Sequence, residues 1–482
     1  MAPKRPTLLF VTSPESGQAN CHLAVIASLP ARHGNGVEIH LASYPALAKR
    51  TPAAVQFHPI DGVSMTDGLY TVAGGDADKV FKFVESTPGM YGSMLQVTRT
   101  TSFIHSETPE EYVHAAKDTE RIIAAVDPDY IVVDSIMASA RDGIRKSGKP
   151  STMLTPNTAK ESALGDQGLS MFALPTIASA YPYPLPWYLY PANIFINIFT
   201  IVWLFMIDKQ FKRIMKARKE AGYSGIIPLF DKPSERSVIC MSTVGAEIPL
   251  KIPSWLKCCG PIVQVSPAFQ DIDPILCQWV QGRPTVLISL STNLKYSEHH
   301  AKEMLRAVRV VLGIRPDIQV LWKLAKIGDY TIQLDGDVKD RLRIVDWLEA
   351  APSAILKTGN IVCFVSHGGS NSYHEALQAG VPQVVMPAWV DCYDFTARLA
   401  YLGIGEWGNP KSAPGCSEPE LTKALLKVIG RTPSDSAATK MRKRAEELSN
   451  VVTKNHTVEG RDVAAAHIWD QVQKAIEEKT MV

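Results

Sequence analysis

"FVSHGGSNSYHEALQAGVP", residues 364 to 382, is the stretch of the sequence that decides the fold. An apolar strand ends at His367, the glycines 368 and 369 let the backbone turn closely around a ligand, and a helix begins near Ser372. The first N–H groups of a helix have no partner within the helix, so this start predicts an anion-binding site. The phosphate loops GxxxxGK(S/T) and GxGxxG are both absent from the stretch. The stretch therefore predicts a phosphate-binding turn at the carboxyl end of a strand.

The alternation of strands and helices continues on both sides of this turn. Short apolar runs bounded by turn residues predict strands at 7–13, 37–43, 54–60, 130–135, 151–156, 285–292, 318–324, 342–348, 361–367 and 382–388. Helical stretches separate or follow many of them, at 109–126, 136–147, 297–312, 350–357, 371–379 and 393–402. This pattern is typical of an α/β protein with two doubly wound, Rossmann-like domains that face each other across a cleft.

The boundary between the two domains is predicted from composition. Residues 246–275 are dense in proline and poor in periodicity, which is typical of a linker. We predict an N-terminal domain over 1–255, a linker over 256–275, a second domain over 276–455 and a C-terminal helix over 456–482 that packs back on the first domain. Ligands of such sheets bind at the carboxyl ends of the strands, so the chemistry is expected in the cleft.

Composition excludes several classes of function. The chain of 482 residues is 46% hydrophobic and 20% charged, and its net charge is +2, so no broad basic field favours nucleic acid. The eight cysteines are scattered without zinc or redox spacing, and the apolar run near the N-terminus is too short for a secretory signal. His299 and His300 lack metal-ligand spacing, so no metal site is predicted. The sequence favours a cytoplasmic protein with a small-molecule partner.

One segment, residues 187–207, is nearly continuous apolar sequence and is followed by the basic run "DKQFKRIMKARK". Its length is borderline for a helix that spans a membrane. A buried core helix is the ordinary interpretation, and an interfacial helix in peripheral contact with a membrane is a second one. A spanning helix is a third interpretation, although it would separate the two halves of the chain by a bilayer.

The sequence resembles the family 1 UDP-dependent glycosyltransferases, which have the two-domain GT-B fold, and its departures look most like fungal small-molecule members. The family's nucleotide-sugar signature is similar to a set of residues in the second half of this chain, namely Trp347, His367, Gly369, Asn371, Ser372, Glu375, Pro387 and Asp391. The likeness also covers "QWVQGRPTVLISLST" at the start of the second domain, "IVVDS" and "GQAN". The resemblance therefore spans almost the entire chain and implies an acceptor-binding first domain and a UDP-sugar-binding second domain.

The resemblance also implies a role for each signature residue. Trp347 would stack on uracil, and His367, Asn371, Ser372 and Thr292 would contact the diphosphate, with Gly369 shaping the turn. Glu375 would accept hydrogen bonds from the ribose hydroxyls, and Asp391 would hold hydroxyls of the sugar. Each residue has a plainer interpretation. Ser372 and Glu375 fit a capping box, Trp347 fits a core position, and His367 fits a satisfied histidine at the end of a strand.

The general base of the reaction is the open question in this sequence. Family members usually have a His after the Gly of the first loop and an Asp partner on a later strand, whereas here Gln18 follows Gly17. Glutamine cannot act as a base, but Asp134 matches the partner Asp, and His22 lies one helical turn beyond Gln18. Three interpretations remain open: His22 is the base and Asp134 orients it, Asp134 acts directly while Gln18 positions the acceptor, or an acidic acceptor needs no strong base. Glu15 is a further candidate.

The plainer interpretations of these residues are a scaffold role for His22 and a helix N-cap for Asp134.

Three departures from the family pattern bear on the donor. Ser370 stands where plant members commonly have Trp, Cys392 replaces the Gln after the acidic residue, and Ala350 replaces the Gln after the signature Trp. UDP-glucose is the expected donor, with UDP-galactose, UDP-xylose and UDP-N-acetylglucosamine as alternatives.

The sequence thus predicts an inverting transferase that glycosylates a hydroxyl of an apolar small molecule, such as a phenolic or terpenoid natural product. Loops near 62–105 and the aromatic segment 180–191 are expected to bind this acceptor. A degenerate nucleotide-sugar-binding protein and a nucleotide-sugar epimerase or hydrolase are the alternatives.

Overall fold

The computed structural model describes residues 5–33, 36–76, 78–80, 82–229, 233, 235–291, 294–334 and 336–481. The strands of the first sheet are β1 (Thr7–Val11), β2 (Glu38–Ser43), β3 (Gln56–Pro59), β4 (Tyr130–Asp134), β5 (Ser151–Leu154), β6 (Ser237–Cys240) and β7 (Leu256–Cys258). The strands of the second sheet are β8 (Thr285–Ser289), β9 (Gln319–Lys323), β10 (Leu342–Val345), β11 (Ile361–Ser366), β12 (Gln383–Val385) and β13 (Gly405–Trp407).

Both sheets are parallel and follow the same winding. The first has the order β3-β2-β1-β4-β5-β6-β7 and the second the order β10-β9-β8-β11-β12-β13. The order reverses between β1 and β4, where Val11 lies opposite Val133, and between β8 and β11, where Ile288 lies opposite Val365. Such a reversal opens a crevice at the carboxyl ends of the strands, and this is where ligands bind in open α/β sheets.

Helices cover the faces of the two sheets. The helices of the first half are α1 (Ser16–His33), α2 (Met65–Val72), α3 (Gly89–Ile104), α4 (Pro109–Val126), α5 (Ala138–Ser147), α6 (Ala159–Ala163), α7 (Tyr190–Val202) and α8 (Lys209–Glu220). Those of the second half are α9 (Phe269–Ile272), α10 (Pro274–Gln281), α11 (Glu298–Ile314), α12 (Pro352–Leu356), α13 (Ser370–Ala379), α14 (Val390–Leu402), α15 (Glu418–Ile429), α16 (Ser436–Thr453) and α17 (Gly460–Met481). Short 3-10 helices cover Pro45–Arg50, Leu164–Ala173, Trp187–Leu189 and Gly336–Val338, and a π-helical turn covers Trp203–Ile207.

The two sheets have separate cores. The central strand of each sheet is buried on both faces. All five residues of β1 and all five of β8 are buried, as expected for parallel strands covered by helices on both sides. The last helix, α17, crosses back to the first half of the chain. Its residues Ala464, Ile468 and Val472 pack in one cluster with Leu8 of β1 and Leu23 of α1. The C-terminus therefore stabilises the first sheet.

The predicted fold class is confirmed, and each of the ten predicted strands corresponds to an observed one. The strands β6, β7 and β13 are additional. The strands β7 and β13 are only three residues long, too short for a pattern of alternating or continuous apolar residues to be recognised. Because β7 pairs with β6, the first sheet extends three residues into the stretch predicted as a linker.

The buried-helix interpretation of residues 187–207 is wrong. The segment is helical, but within α7 only Asn193 and Ile196 are buried, and large apolar side chains face solvent. Apolar composition alone does not distinguish a helix that is covered by the fold from one that presents its apolar face outward. By length and composition Trp187–Ile207 could cross a membrane, and 17% of its apolar 18-residue window is buried within the fold.

Candidate functional site

The turn between β11 and α13 has the geometry of an anion site. The helix begins at Ser370, and its N-cap is Gly369, whose lack of a side chain leaves the first N–H groups of the helix without a capping partner from that residue. Ser372 is therefore the third helical residue, not the N-cap. The capping-box interpretation of Ser372 and Glu375 is wrong, because that motif requires the serine to precede the helix.

The two glycines of the turn are required by close packing. Gly368 has φ of +85°, and a Cβ there would lie 2.5 Å from Val385 Cγ1 and 3.2 Å from the Cys392 carbonyl oxygen. A Cβ on Gly369 would lie 2.4 Å from Nε2 of His367. Any larger residue would push the histidine ring out of its place, so the glycines hold His367 against the helix start.

His367 is buried and lacks a complete set of hydrogen bonds. Burial lowers the pKa of its imidazole to about 4, so the ring is neutral at physiological pH. Its Nδ1 atom has no hydrogen-bond partner among the described residues. A buried polar atom without a partner is costly, so the histidine is held in this place by packing and not by a complete set of hydrogen bonds. The plainer interpretation, a satisfied histidine, is wrong.

Asn371 and Glu375 line a cavity of about 100 Å³ between the two halves of the chain. Residues from both halves form its wall, including Asn20 and Met241 from the first half and Pro352 from the second. The Asn371 amide donates a hydrogen bond to the Ser16 carbonyl oxygen at 3.1 Å, which connects α13 to the start of α1. The cleft between the two sheets is closed at this contact.

The Glu375 carboxylate makes no hydrogen bond or salt bridge with the described part of the chain. Burial raises its pKa to about 7, and the positive charge of Lys357 partly offsets this effect. A carboxylate that is partly withdrawn from water and free of partners is a ready acceptor for hydroxyl donors. Its place on the cavity wall, one turn beyond Asn371, suits hydroxyls of a ligand whose phosphates contact the helix start.

Trp347 follows β10 and is 57% exposed, so the interpretation of this residue as core is wrong. The Lys323 ammonium lies 4.1 Å from the centroid of its ring. An exposed indole at the carboxyl edge of the second sheet offers a flat surface on which a base can stack.

Asp391 is the second residue of α14, and burial raises its pKa to about 7. The next residue, Cys392, is fully buried within the core of the second half and offers no polar group to a ligand. Ala350 is buried too, while the Ser370 hydroxyl donates a hydrogen bond to the Pro156 carbonyl oxygen across the cleft. Among the positions that were expected to contact the sugar or to bear on its identity, Asp391 is the one that has a carboxylate. Thr292, the other residue expected at the diphosphate, lies outside the described residues.

On the other side of the cleft, Asp134 ends β4 and is fully buried. Its Oδ2 atom accepts hydrogen bonds from Thr12 Oγ1 at 3.0 Å and from the Ser13 amide at 3.2 Å, and its Oδ1 accepts one from the Ile136 amide at 3.1 Å. Burial nevertheless raises its pKa to about 7. The N-cap interpretation of Asp134 is wrong, because α5 begins at Ala138 with Met137 as its N-cap.

His22 does not face the cleft. It is fully buried on the side of α1 that covers the sheet, where its Nε2 donates a hydrogen bond to the Leu154 carbonyl oxygen at 3.2 Å. Burial lowers its pKa to about 3, which makes the ring a weak base. The partners of Asp134 are other groups, so the predicted pair in which Asp134 orients His22 is not formed. The 3.6-residue period correctly placed His22 one turn from Gln18, but the ring points into the core.

Gln18 and Glu15 lie at the start of α1. The Gln18 Oε1 atom is buried without a hydrogen-bond partner among the described residues. Glu15 is bound at the start of α2, where it accepts hydrogen bonds from the amide and the hydroxyl of Thr66 at 2.9 and 3.0 Å. The Ser13 hydroxyl also donates to Glu15, so Ser13 joins the Glu15 and Asp134 carboxylates. Sequence reasoning missed Thr12 and Ser13, although their place directly after β1 is a signal that could have identified them.

Buried ion pairs connect the two halves of the chain near Asp391. Lys160 of α6 pairs with Asp394 of α14, and the Arg398 guanidinium pairs with Glu247 at 2.5 Å. All four side chains are almost fully buried. No local sequence pattern marks these pairs, because the partners are more than 150 residues apart.

The chain is similar to known glycosyltransferases in sequence and in fold. Residues 324–454 match the family model described as "Erythromycin biosynthesis protein CIII-like, C-terminal domain". The glycosyltransferase sdnJ of Sordaria araneosa is 32% identical to this chain, over 94% of the chain and 95% of the relative.

Solved structures share the fold. The chain matches the glycotransferase of kitacinnamycin with a TM-score of 0.66 at 16% identity, over 98% of this chain and 100% of that one. It matches Phytolacca americana UGT2, complexed with UDP-2fluoro-glucose and pterostilbene, with a TM-score of 0.61 at 14% identity, over 97% of this chain and 100% of that one. The site and these relatives lead to one conclusion: the chain belongs to the family 1 UDP-dependent glycosyltransferases, hexosyl-transferring enzymes with the GT-B fold.

Proposed function

We propose that this enzyme transfers glucose from UDP-glucose, with inversion at the anomeric carbon, to a hydroxyl of an apolar small molecule. The observation that carries the proposal is the turn after β11, where the buried His367 Nδ1 atom has no partner among the described residues and, in the second turn of the helix that follows, the Glu375 carboxylate lines the cavity between the two halves of the chain. Two structural neighbours support a small-molecule acceptor by their names. One is the glycotransferase of kitacinnamycin, and the other is complexed with pterostilbene.

The described residues fit a UDP-sugar donor. The first N–H groups of α13, with Asn371 and Ser372, would hold the diphosphate, and the His367 ring would contribute its open nitrogen. Glu375 would accept the ribose hydroxyls, and the exposed face of Trp347 would stack on uracil. Asp391 would accept hydroxyls of the sugar. Thr292 remains a further proposed diphosphate contact from the sequence.

Asp134 is the best-supported base. The acceptor oxygen attacks the anomeric carbon and loses its proton to the Asp134 carboxylate, while the bond from that carbon to the phosphate oxygen breaks and UDP leaves with the electron pair. A carboxyl with a pKa of about 7 is matched to proton transfer near neutral pH. Its three hydrogen-bond donors hold it in one position. Gln18 would position the acceptor through its open Oε1 atom.

An acceptor that ionises readily needs less help from a base. A carboxylic acid is already ionised near neutral pH, and a phenol, with a pKa of about 10, loses its proton far more readily than an alkyl alcohol, so for both of these acceptors Asp134 would contribute less to the rate. This distinction makes the choice of acceptor part of the test.

We propose that the acceptor binds beside the loop at residues 175–181, between α3 and the start of α14. Ala178 packs against Tyr393, and the Ser179 carbonyl oxygen accepts a hydrogen bond from the Gly89 amide at 2.9 Å. Ala178 and Ala180 both have positive φ, of 64° and 55°, a strained conformation for alanine that often accompanies functional loops. The aromatic segment at 180–191 continues from this loop.

The proposed compartment is the cytoplasm. The eight cysteines are all free thiols, as a reducing compartment requires, and most of them are buried. The domain limits also remain proposals: an acceptor domain over 1–255, a linker over 256–275 and a donor domain over 276–455.

The proposal is tested by UDP release from UDP-glucose with a panel of phenols and aliphatic alcohols, with UDP-galactose, UDP-xylose and UDP-N-acetylglucosamine as competing donors. We expect acceptor-dependent release that is fastest with UDP-glucose, and a product whose anomeric configuration by NMR is opposite to that of the donor. UDP release without acceptor would identify a hydrolase. Conversion of the UDP-sugar to its epimer would identify an epimerase, and binding without release with every acceptor would identify a nucleotide-sugar-binding protein.

A substitution of Glu375 tests the donor site directly. Glu375→Ala removes the acceptor of the ribose hydroxyls, and hydrogen bonds to charged groups contribute about 1.5–3 kcal/mol, so the Kd for UDP-glucose should rise about 10- to 150-fold. Calorimetric titration measures this change. Glu477→Ala, an exposed position on α17, is the matched control and should leave the Kd unchanged. Equal Kd values for wild type and Glu375→Ala would remove the ribose assignment.

A further inference from the structure

The segment from Trp187 to Ile207 presents an apolar face to solvent, which we name the α7 face. Large apolar side chains on it are more than a third exposed, among them Trp187 at 83% and Ile201 at 57%. The full set is Trp187, Tyr188, Tyr190, Phe195, Ile198, Ile201, Val202, Phe205, Met206 and Ile207. Soluble monomers seldom expose so many adjoining apolar side chains, and such a face marks an interaction surface.

The opposite side of α7 is fixed to the first half of the chain by two asparagines, of which Asn193 is fully buried. Asn193 Oδ1 accepts hydrogen bonds from the amide and the hydroxyl of Thr176 at 2.8 and 2.7 Å. Its Nδ2 donates to the carbonyl oxygens of Phe172 and Leu174 at 3.0 and 2.8 Å. Asn197 adds a bond to Thr176 Oγ1 at 2.8 Å. A helix held along the domain surface in this way presents one side outward, so the geometry favours an interfacial position over a membrane-spanning one.

The next helix, α8, supplies charge beside the α7 face. Its solvent-exposed charged side chains are five basic and one acidic, namely Lys209, Lys212, Arg213, Lys216, Lys219 and Glu220. Residues 187–207 contain no charged side chain. The basic character is local, because the whole chain has a net charge of only +2. An apolar face flanked by basic residues is complementary to a bilayer with anionic headgroups.

We propose that the α7 face and the basic side of α8 dock on the surface of an anionic phospholipid bilayer, with α7 lying parallel to the membrane. The α7 face is continuous in sequence with the loop at 175–181 and the segment 180–191, where we place the acceptor. Docking would bring this region to the membrane, from which an apolar acceptor can enter. The supply of the acceptor from the lipid rests on the proposed function, whereas the docking itself does not.

Vesicle flotation tests the docking without any substrate. The whole 482-residue chain is mixed with vesicles of equal parts phosphatidylserine and phosphatidylcholine, or with vesicles of phosphatidylcholine alone. We expect the enzyme to float with the anionic vesicles and to bind at least about tenfold more weakly to the neutral ones, and added salt should weaken the binding to anionic vesicles.

Two pairs of substitutions separate the apolar and the electrostatic contributions. The double variant Ile198→Glu, Ile201→Glu should reduce binding at least about tenfold, because charge replaces the apolar contact. Its matched control changes two exposed apolar residues elsewhere, Val265→Glu and Ile275→Glu, and should bind as wild type does.

The charge reversal Lys216→Glu, Lys219→Glu should abolish the preference for anionic vesicles, whereas Lys440→Glu, Lys443→Glu on α16 should retain it. Unchanged circular dichroism spectra and melting temperatures verify that the variants fold. If a double variant does not fold, the single substitution Ile201→Ser, at an exposed position, takes its place.

Three outcomes would overturn the docking proposal. The first is wild-type enzyme that stays unbound with both kinds of vesicle. The second is an Ile198→Glu, Ile201→Glu variant that folds and floats as wild type does. The third is a wild-type dimer in light scattering that this double variant converts to a monomer, which would assign the α7 face to a second copy of the chain. Flotation measures no turnover, so a failure of the proposed function does not change the result of the docking test. UDP release in the absence of vesicles is likewise no measure of docking.

Discussion

Asp134→Asn is the substitution that most directly tests the proposed base. The change keeps the size of the side chain but removes the group that takes the proton. General base catalysis contributes about 10²- to 10⁴-fold to rate, so kcat should fall by that factor, equivalent to about 2.7–5.4 kcal/mol in the activation barrier. Donor binding should stay within about twofold, because the proposed donor contacts belong to the second half of the chain.

The pH dependence sharpens this test. Because the pKa of Asp134 is about 7, the proportion of the carboxyl that is ionised, and with it kcat, should rise about tenfold per pH unit below pH 7 and level off above it. The Asp134→Asn variant has no such group and should show no rise in kcat with that pKa.

Stability provides an independent measurement of the same pKa. The folded pKa of Asp134 lies above its value of 3.8 without burial, so the folded protein binds the proton more tightly than the unfolded chain does. The contribution of Asp134 to the free energy of unfolding is therefore greatest below about pH 4 and is lost as the pH rises to about 7, by up to about 4 kcal/mol. In Asp134→Asn the free energy of unfolding should no longer depend on the titration of this side chain. It should instead be lower by about 1–3 kcal/mol at every pH, because the asparagine NH₂ group faces the Ile136 amide, one of the three donors.

The assay is chromatographic measurement of UDP release from about pH 5.5 to about pH 8.5, with saturating UDP-glucose and an alkyl alcohol as acceptor, which does not ionise in this range. Asp470→Asn, an exposed position on α17, is the control. A folded Asp134→Asn variant with kcat within about threefold of wild type would refute the assignment. So would a variant whose profile still rises with a pKa near 7.

Three further predictions follow from the geometry. His22→Ala should lower the free energy of unfolding by about 2–4 kcal/mol in denaturant titrations, because a cavity replaces the buried ring. The kcat of this variant should stay within about threefold of wild type. A tenfold lower kcat in the folded variant would show that His22 takes part in the reaction. Trp347→Ala should weaken UDP-glucose binding by about 1–3 kcal/mol in calorimetry. The melting temperature should stay unchanged, since the ring is exposed. An unchanged Kd for UDP-glucose would contradict the stacking of Trp347 on uracil. Lys160→Met should destabilise the protein by about 3–5 kcal/mol, because it leaves the Asp394 charge buried without its partner. The double variant Lys160→Met, Asp394→Leu should recover most of this loss. If the two losses in thermal unfolding are instead additive, the two side chains do not interact.

The turn that is proposed to bind the donor could be predicted from sequence because its residues are close together along the chain. The turn from His367 to Glu375 follows from a strand end, two glycines and a helix start, which are all decided by neighbouring residues. The family pattern then assigned a role to each position. The exposed Trp347 and the open His367 Nδ1 atom agree with those roles, although neither property can be read from the order of residues.

The proposed catalytic side depended on tertiary packing. The helical period related Gln18 to His22, but only the packing of α1 on the sheet turned the His22 ring into the core beside Leu154. The apolar composition of residues 187–207 was evident, whereas their exposure depends on which segments cover them. The pKa values of Asp134 and His22 likewise depend on the exclusion of water by residues distant in sequence. Local backbone chemistry can be read from a few neighbouring residues, but burial is a property of the whole packed chain, and burial decides which of these groups can transfer a proton.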